Sequence, residues 1–155
     1  MRRLAPVLLA LWVTGCSSSP AAPPPAVVDA VRGAASPGAL QRLNEAVHAR
    51  GGSPASVLAL AADGDPHVRR ASVYVAALWA EDDDDQRALE AFLADEDEAI
   101  RAMAAGALAS LGHARGRAAL DALRGSSTLM PWSDPPRTAG TFASTTLDAL
   151  SRAGR

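Results

Sequence analysis

Asp65-Pro66-His67-Val68-Arg69-Arg70-Ala71 and Asp97-Glu98-Ala99-Ile100-Arg101-Ala102-Met103 are two copies of one pattern. In each, an aspartate is followed three residues later by an aliphatic side chain, next to it an arginine, and two places beyond the arginine a small or apolar residue. A third, more degraded copy is Asp134-Pro135-Pro136-Arg137-Thr138-Ala139. Aligned on Arg69, Arg101 and Arg137, the copies are spaced by 32 and 36 residues. Small or apolar residues then recur two places on (Ala71, Met103, Ala139), six on (Val75, Ala107, Ala143) and ten on (Trp79, Leu111, Leu147). Offsets of four keep these positions on one helical face. A fixed period of this length is the mark of a stacked array, in which no unit buries its apolar face alone.

Each motif also reads as a helix start. Asp65 and Asp97 are suited to accept hydrogen bonds from the free N–H groups of a first turn. Pro66 and Pro135 suit the first helical position, where the missing N–H costs nothing. The arginines are the anomaly, because a cation in the first turn opposes the helix dipole. The acids between helices (Asp63, Asp65, Asp95, Asp97) supply a reason, and the pattern predicts arginine–acid bridges between neighbouring repeats along one rim.

A second helix precedes each of these. Ser53-Pro54 opens a segment carrying Val57, Leu58, Leu60 and Ala61; Asp84 or Asp85 opens one carrying Leu89, Phe92 and Leu93; Ala114 to Leu123 carries Leu120 and Leu123. Ahead of them, Ala39 to Ala49 reads as a helix with Leu40, Leu43 and Val47. Helix pairs with Asp-x-x-Val-Arg-x-x-Ala at the second helix resemble HEAT repeats, in particular the short phycobilisome-lyase-type variant. The resemblance runs from about Ser53 to Ala153. It implies an all-α solenoid of about three antiparallel helix pairs, with Asp65, Val68, Arg69, Asp97, Ile100, Arg101, Asp134 and Arg137 as its structural motif. It also implies a surface for a protein partner.

The N-terminus has a different character. Arg2 and Arg3 precede an apolar run from Leu4 to Val13, too short for the roughly 20 residues of a membrane-spanning helix. A charged start, a short apolar stretch and small residues at a cut site are the marks of an export signal. Val13-Thr14-Gly15-Cys16 resembles the lipobox of bacterial lipoproteins, whose cysteine is acylated and becomes the first mature residue. By that resemblance Cys16 carries lipid and anchors the chain in the cell envelope, facing the periplasm. Ser17 in place of the aspartate of inner-membrane retention favours the outer membrane. Ser17 to Pro25 is a Pro/Ala/Ser stretch without apolar periodicity, which favours extended geometry of about 3.1 Å per residue. The expected organisation is a signal peptide at 1–15, a lipidated and flexible tether at 16–38, and a repeat domain at 39–155. Val27, Val28 and Val31 suggest a helical turn inside the tether, interrupted by Gly33 and Ser36-Pro37-Gly38.

Charge and composition narrow the function. The chain has 15 basic residues, all arginine, against 17 acidic ones. Removal of the signal deepens the deficit, which argues against a nucleic-acid partner. Cys16 is the sole cysteine, so a lipidated chain has no thiol for disulfide, redox or metal chemistry. His48, His67 and His113 are scattered, with no pair at helical metal-ligand spacing. No phosphate loop or nucleophile elbow occurs, and the sequence calls for no cofactor, no metal and no catalytic residue. The acidic runs 81–85 and 95–98 lack the glycine punctuation of a calcium loop and fall at interhelical turns, where acids cap helices. The second run, together with Asp63 and Asp65, is expected to form an acidic edge open to a basic partner.

Gly125 to Trp132 lengthens the third inter-helix turn and carries Leu129, Met130 and Trp132, which either fold back over the end of the stack or contact a partner. Two functions follow. One is a monomeric, membrane-anchored interaction scaffold; the other is an accessory periplasmic protein that handles a ligand or is lyase-like. Charged or aromatic groups converging on the concave face would favour the second, and the positions assigned there are mainly alanine and aliphatic.

Overall fold

The computed structural model describes residues 25–33, 40–49, 52–62, 65–130, 133 and 135–154. The signal sequence, Cys16 and most of the tether lie outside the described residues, as do Asp63, Trp132 and Asp134.

Among the described residues four helix pairs follow one another: α1 (Pro25–Gly33) with α2 (Leu40–Ala49), α3 (Pro54–Leu58) with α4 (Pro66–Trp79), α5 (Asp83–Glu90) with α6 (Glu98–Ser110), and α7 (Ala114–Leu123) with α8 (Ala139–Arg152). A single 3-10 turn extends α3 over Ala59–Ala62 and α5 over Ala91–Ala94. The second helices lie side by side, α2 against α4, α4 against α6 and α6 against α8. This is an all-α solenoid, with one two-residue antiparallel ladder in the turn before α8: β1 (Leu129–Met130) pairs with β2 (Arg137–Thr138).

The helix starts follow from capping. Ser53 and Ser56 form a reciprocal capping box at α3, with N···O distances of 3.2 and 2.8 Å. The Asp65 carboxylate accepts from His67 N–H at 2.8 Å, Pro66 stands at the first position of α4, and the Asp97 carboxylate accepts from Ala99 N–H at 2.9 Å. In the aspartate run, Asp82 rather than Asp84 or Asp85 caps α5, accepting from Asp84 N–H at 2.9 Å and Asp85 N–H at 2.8 Å. The helix thereby gains three acids in its first turn, where the dipole favours them.

Two expectations are corrected. The stretch expected as a flexible tether holds a helix at Pro25–Gly33 among the described residues: Val31 is fully buried with Leu43, Val47, Val57, Val68 and Val75. Proline at the first helical position and this apolar cluster support a helix within the expected tether. The third motif copy does not open α8 either. Thr138 is its cap, accepting from Thr141 N–H at 3.1 Å, so Pro135 and Arg137 precede the helix. Ala139, Ala143 and Leu147 are nevertheless buried as the repeat pattern requires.

A second apolar cluster joins the later pairs, and Tyr74 packs against both clusters. Its centre is α6, which buries residues around its whole circumference because α4, α5, α7 and α8 all pack on it. Ser72, the buried polar residue of the core, donates from its hydroxyl to the Val68 carbonyl at 2.8 Å. On α8 the exposed positions are mostly polar: Thr141, Thr145, Asp148, Ser151 and Arg152, with Ala149 among them.

A concave groove as the candidate functional site

The inner faces of α4, α6 and α8 enclose a groove of about 900 Å³, bounded at one end by Ser133, Pro135, Pro136 and Arg137. Tyr74 and Leu78 contribute from α4, Met103 and Ala107 from α6, Phe142 and Thr146 from α8. Two leucines project into it: Leu78 is 51% exposed and Leu111 is 38% exposed. Leu111, expected in the core, sits at the end of α6. There Gly112 adopts φ +92°, and Gly112 N–H and His113 N–H reach back to the Ala109 and Leu108 carbonyls at 3.0 and 2.9 Å. That is a Schellman termination, which turns the chain away from the core and leaves the leucine at its lip.

At the opposite wall three residues are stacked. A Cβ on Gly106 would lie 2.8 Å from Phe142 Cζ, so the glycine makes the notch in which the ring sits. The Arg137 guanidinium lies over the same ring, 4.9 Å from its centroid. Arg137 is the one charged side chain among the described residues lining the groove. The concave face is therefore not only alanine and aliphatic; Tyr74, Phe142 and Arg137 converge on it.

The rim beside the α5–α6 turn is a network of ion pairs. Arg69 reaches from α4 into the next pair, to Glu96 at 2.9 Å and Asp95 at 3.6 Å, and Arg70 Nε donates to Asp97. The hydrogen bond to Glu96 and the surrounding carboxylates hold the Arg69 pKa above its ordinary range, against the opposing effect of burial. Arg101 turns back within its own pair, to Glu98 at 3.0 Å and to the Asp95 carbonyl at 2.6 Å. The bridge to the following pair comes from Glu98, whose Oε2 accepts from the hydroxyls of Ser126 (2.6 Å) and Thr128. Those two hydroxyls, then Arg101, hold the Glu98 pKa below its ordinary value. Asp95, Asp97 and Glu98 are thus engaged by arginines and hydroxyls within the chain, whereas Glu96 pairs with Arg69 while its side chain stays 81% exposed on the expected acidic edge.

The remaining sequence candidates separate. Val68 and Ile100 are core residues. Leu129 is 64% exposed, but Met130 is 1% exposed and belongs to the core, so Met130 is not available to a partner. His48 meets Trp79 edge to face at 5.5 Å. His113 precedes α7, its Nε2 against Gln86 and its Nδ1 3.6 Å from Glu90. Among the described residues no three His, Cys, Asp or Glu side chains are grouped to hold a metal ion. Among them, too, no helix is long and apolar enough to cross a membrane.

Comparison with known protein families matches residues 54–134, just over half of the chain, to HEAT repeats. The chain belongs to the HEAT-repeat family. HEAT repeats are generally protein-interaction scaffolds, typically without catalytic activity of their own. The HEAT match ends before α8, in the segment where the hairpin displaces the third motif copy from its helix. No curated protein and no solved structure matches the chain.

Proposed function

We propose that this HEAT protein is a non-catalytic scaffold, held at a bacterial membrane by lipid on Cys16, that presents its concave groove to a protein of the cell envelope. The carrying observation is the groove itself, with Leu78 and Leu111 exposed along a surface built from three successive pairs. Solenoids use such extended concave surfaces to bind partners. The lipobox-like Val13-Thr14-Gly15-Cys16 supports the anchor, and two or more acyl chains make such attachment lasting. Ser17 favours the outer membrane.

Affinity capture from solubilised envelope, with the acylated full chain as bait, tests the scaffold role. Enrichment of a protein over a tether-only control, lost on Leu111→Asp, is the expected result; no enrichment overturns it. Mass spectrometry of the mature N-terminus tests the anchor, and an unmodified peptide beginning beyond Cys16 overturns that part alone.

Convergence of Tyr74, Phe142 and Arg137 favours a second reading, an accessory role in handling a small ligand, as in the lyase-type branch that the short period resembles. Direct binding of a small amphiphile in the groove, without a protein partner, would establish it.

A further inference from the structure

We infer that the groove accepts a segment of partner polypeptide in which aliphatic side chains flank a carboxylate, with the carboxylate meeting Arg137. The inference rests on the scaffold reading and specifies the chemistry of the occupant.

Three observations carry it. The walls are apolar where Leu78, Ala77, Ala107 and Leu111 lie, so the complementary surface is aliphatic. Charge is confined to one end: Arg137 stands there, and no acid is present among the described lining residues. Six other arginines among the described residues, Arg69, Arg70, Arg87, Arg101, Arg115 and Arg124, each pair with a carboxylate of the chain. Arg137 instead rests on Phe142, with no carboxylate partner among the described residues. The Gly106 notch fixes the ring and the ring fixes the guanidinium, so its planar fork is positioned before anything binds. Such a fork matches a carboxylate bidentately.

A polypeptide suits the shape better than a free fatty acid. Small-ligand sites bury about 70–90% of their occupant, whereas this groove leaves Leu78 51% and Leu111 38% exposed to solvent. A peptide inserts alternate side chains and leaves its other face to solvent or to the rest of its own fold.

The test pans a phage-displayed library of random linear peptides on the immobilised full chain. The best peptide is then synthesised as found, with its acid changed to the amide, and with lysine in its place. Expected are sequences pairing aliphatic residues with Asp or Glu, the amide form binding about tenfold more weakly and the lysine form weaker still. Arg137→Glu reverses that order, and Leu111→Asp abolishes binding of every form. Both positions are exposed, and unchanged melting of the two variants confirms that they fold. Enriched peptides lacking an acid, or indifferent to Arg137→Glu, overturn the inference. Peptides indifferent to both substitutions overturn the groove assignment while leaving the scaffold reading intact. If no peptide is enriched and oleate or phosphatidylglycerol vesicles bind instead, dependent on Leu111, the groove is a lipid site and the inference fails. If nothing binds but envelope capture succeeds, the partner uses another surface and only the inference falls.

Discussion

Gly116 in α7 and Ala109 in α6 meet at backbone distance: a Cβ on Gly116 would lie 2.5 Å from the Ala109 nitrogen. It would also lie 2.7 Å from Leu108 Cβ and 2.9 Å from the Ala105 carbonyl oxygen. No rotamer change can relieve contacts with main-chain atoms. Overpacking of this kind costs about 1–3 kcal/mol, against about 1 kcal/mol that alanine gains over glycine in a helix. Gly116→Ala is therefore expected to destabilise by up to about 2 kcal/mol, seen as a lower melting temperature. Gly125→Ala, where a Cβ meets nothing within 4 Å, is the matched control and should leave the melting curve almost unchanged.

Asp97 does two jobs, capping α6 through Ala99 N–H and receiving Arg70 from the preceding pair. Loss of a cap costs about 1 kcal/mol. Loss of a charged partner to a half-exposed arginine adds about 0.5–1 kcal/mol after screening. Asp97→Ala is expected to cost about 2 kcal/mol in urea unfolding. Asp97→Asn keeps a capping oxygen and should recover about half of that.

Glu98 links the third and fourth pairs, and its ionisation should be measurable in stability. Its folded pKa is held below the ordinary value of 4.5 by the Ser126 and Thr128 hydroxyls, with Arg101 contributing. A depressed carboxylate contributes stability that is present above its unfolded pKa and lost as pH falls through the folded value. Stability attributable to Glu98 is therefore intact at neutral pH and declines below about pH 4.5. In the Ser126→Ala, Thr128→Val double variant, the NMR titration midpoint of Glu98 should move up toward the ordinary value. An unmoved midpoint would show that the hydroxyls do not set it.

Gly106 separates binding from folding. A Cβ there meets only the far end of the Phe142 ring, at 2.8 and 3.0 Å, and the ring can yield by swinging toward the groove. Gly106→Ala should thus change stability by less than about 1 kcal/mol, helix propensity offsetting the shift. The displaced ring carries Arg137 with it, and binding of an acidic peptide should fall severalfold. Calorimetric melting and peptide titration on the same variant read the two effects apart.

The strong motif copies were legible because local chemistry and burial coincide there: Asp65 and Asp97 cap, Pro66 fills the first position, and the apolar periodicity follows. The start of α7 at Ala114 was equally clear. Alignment on arginine misled at Arg137, since the apolar positions 139, 143 and 147 keep their register while the cap moves to Thr138. The Thr138/Thr141 pair was the overlooked signal, for both hydroxyls serve the helix start. Helix α1 was legible only as one turn at Val27, Val28 and Val31, because what holds the full Pro25–Gly33 helix is Val31 packing on later helices. The groove was obscured by Leu111, which shares the periodicity of core residues. Gly112 immediately after it marks a helix end, and a leucine at a C-cap need not follow the buried face.

Repeat stacks carry a built-in hazard. Each unit offers the surface that the next unit covers, so an uncovered last unit can recruit another copy and propagate head to tail without closing. Away from the groove, α8 exposes Thr145, Asp148, Ser151 and Arg152, with Ala149 among them. A second molecule docking there would have to strip water from those groups without burying much hydrocarbon in return. Wherever that face of α8 is left uncovered, its hydroxyls and charges resist head-to-tail docking of a second copy.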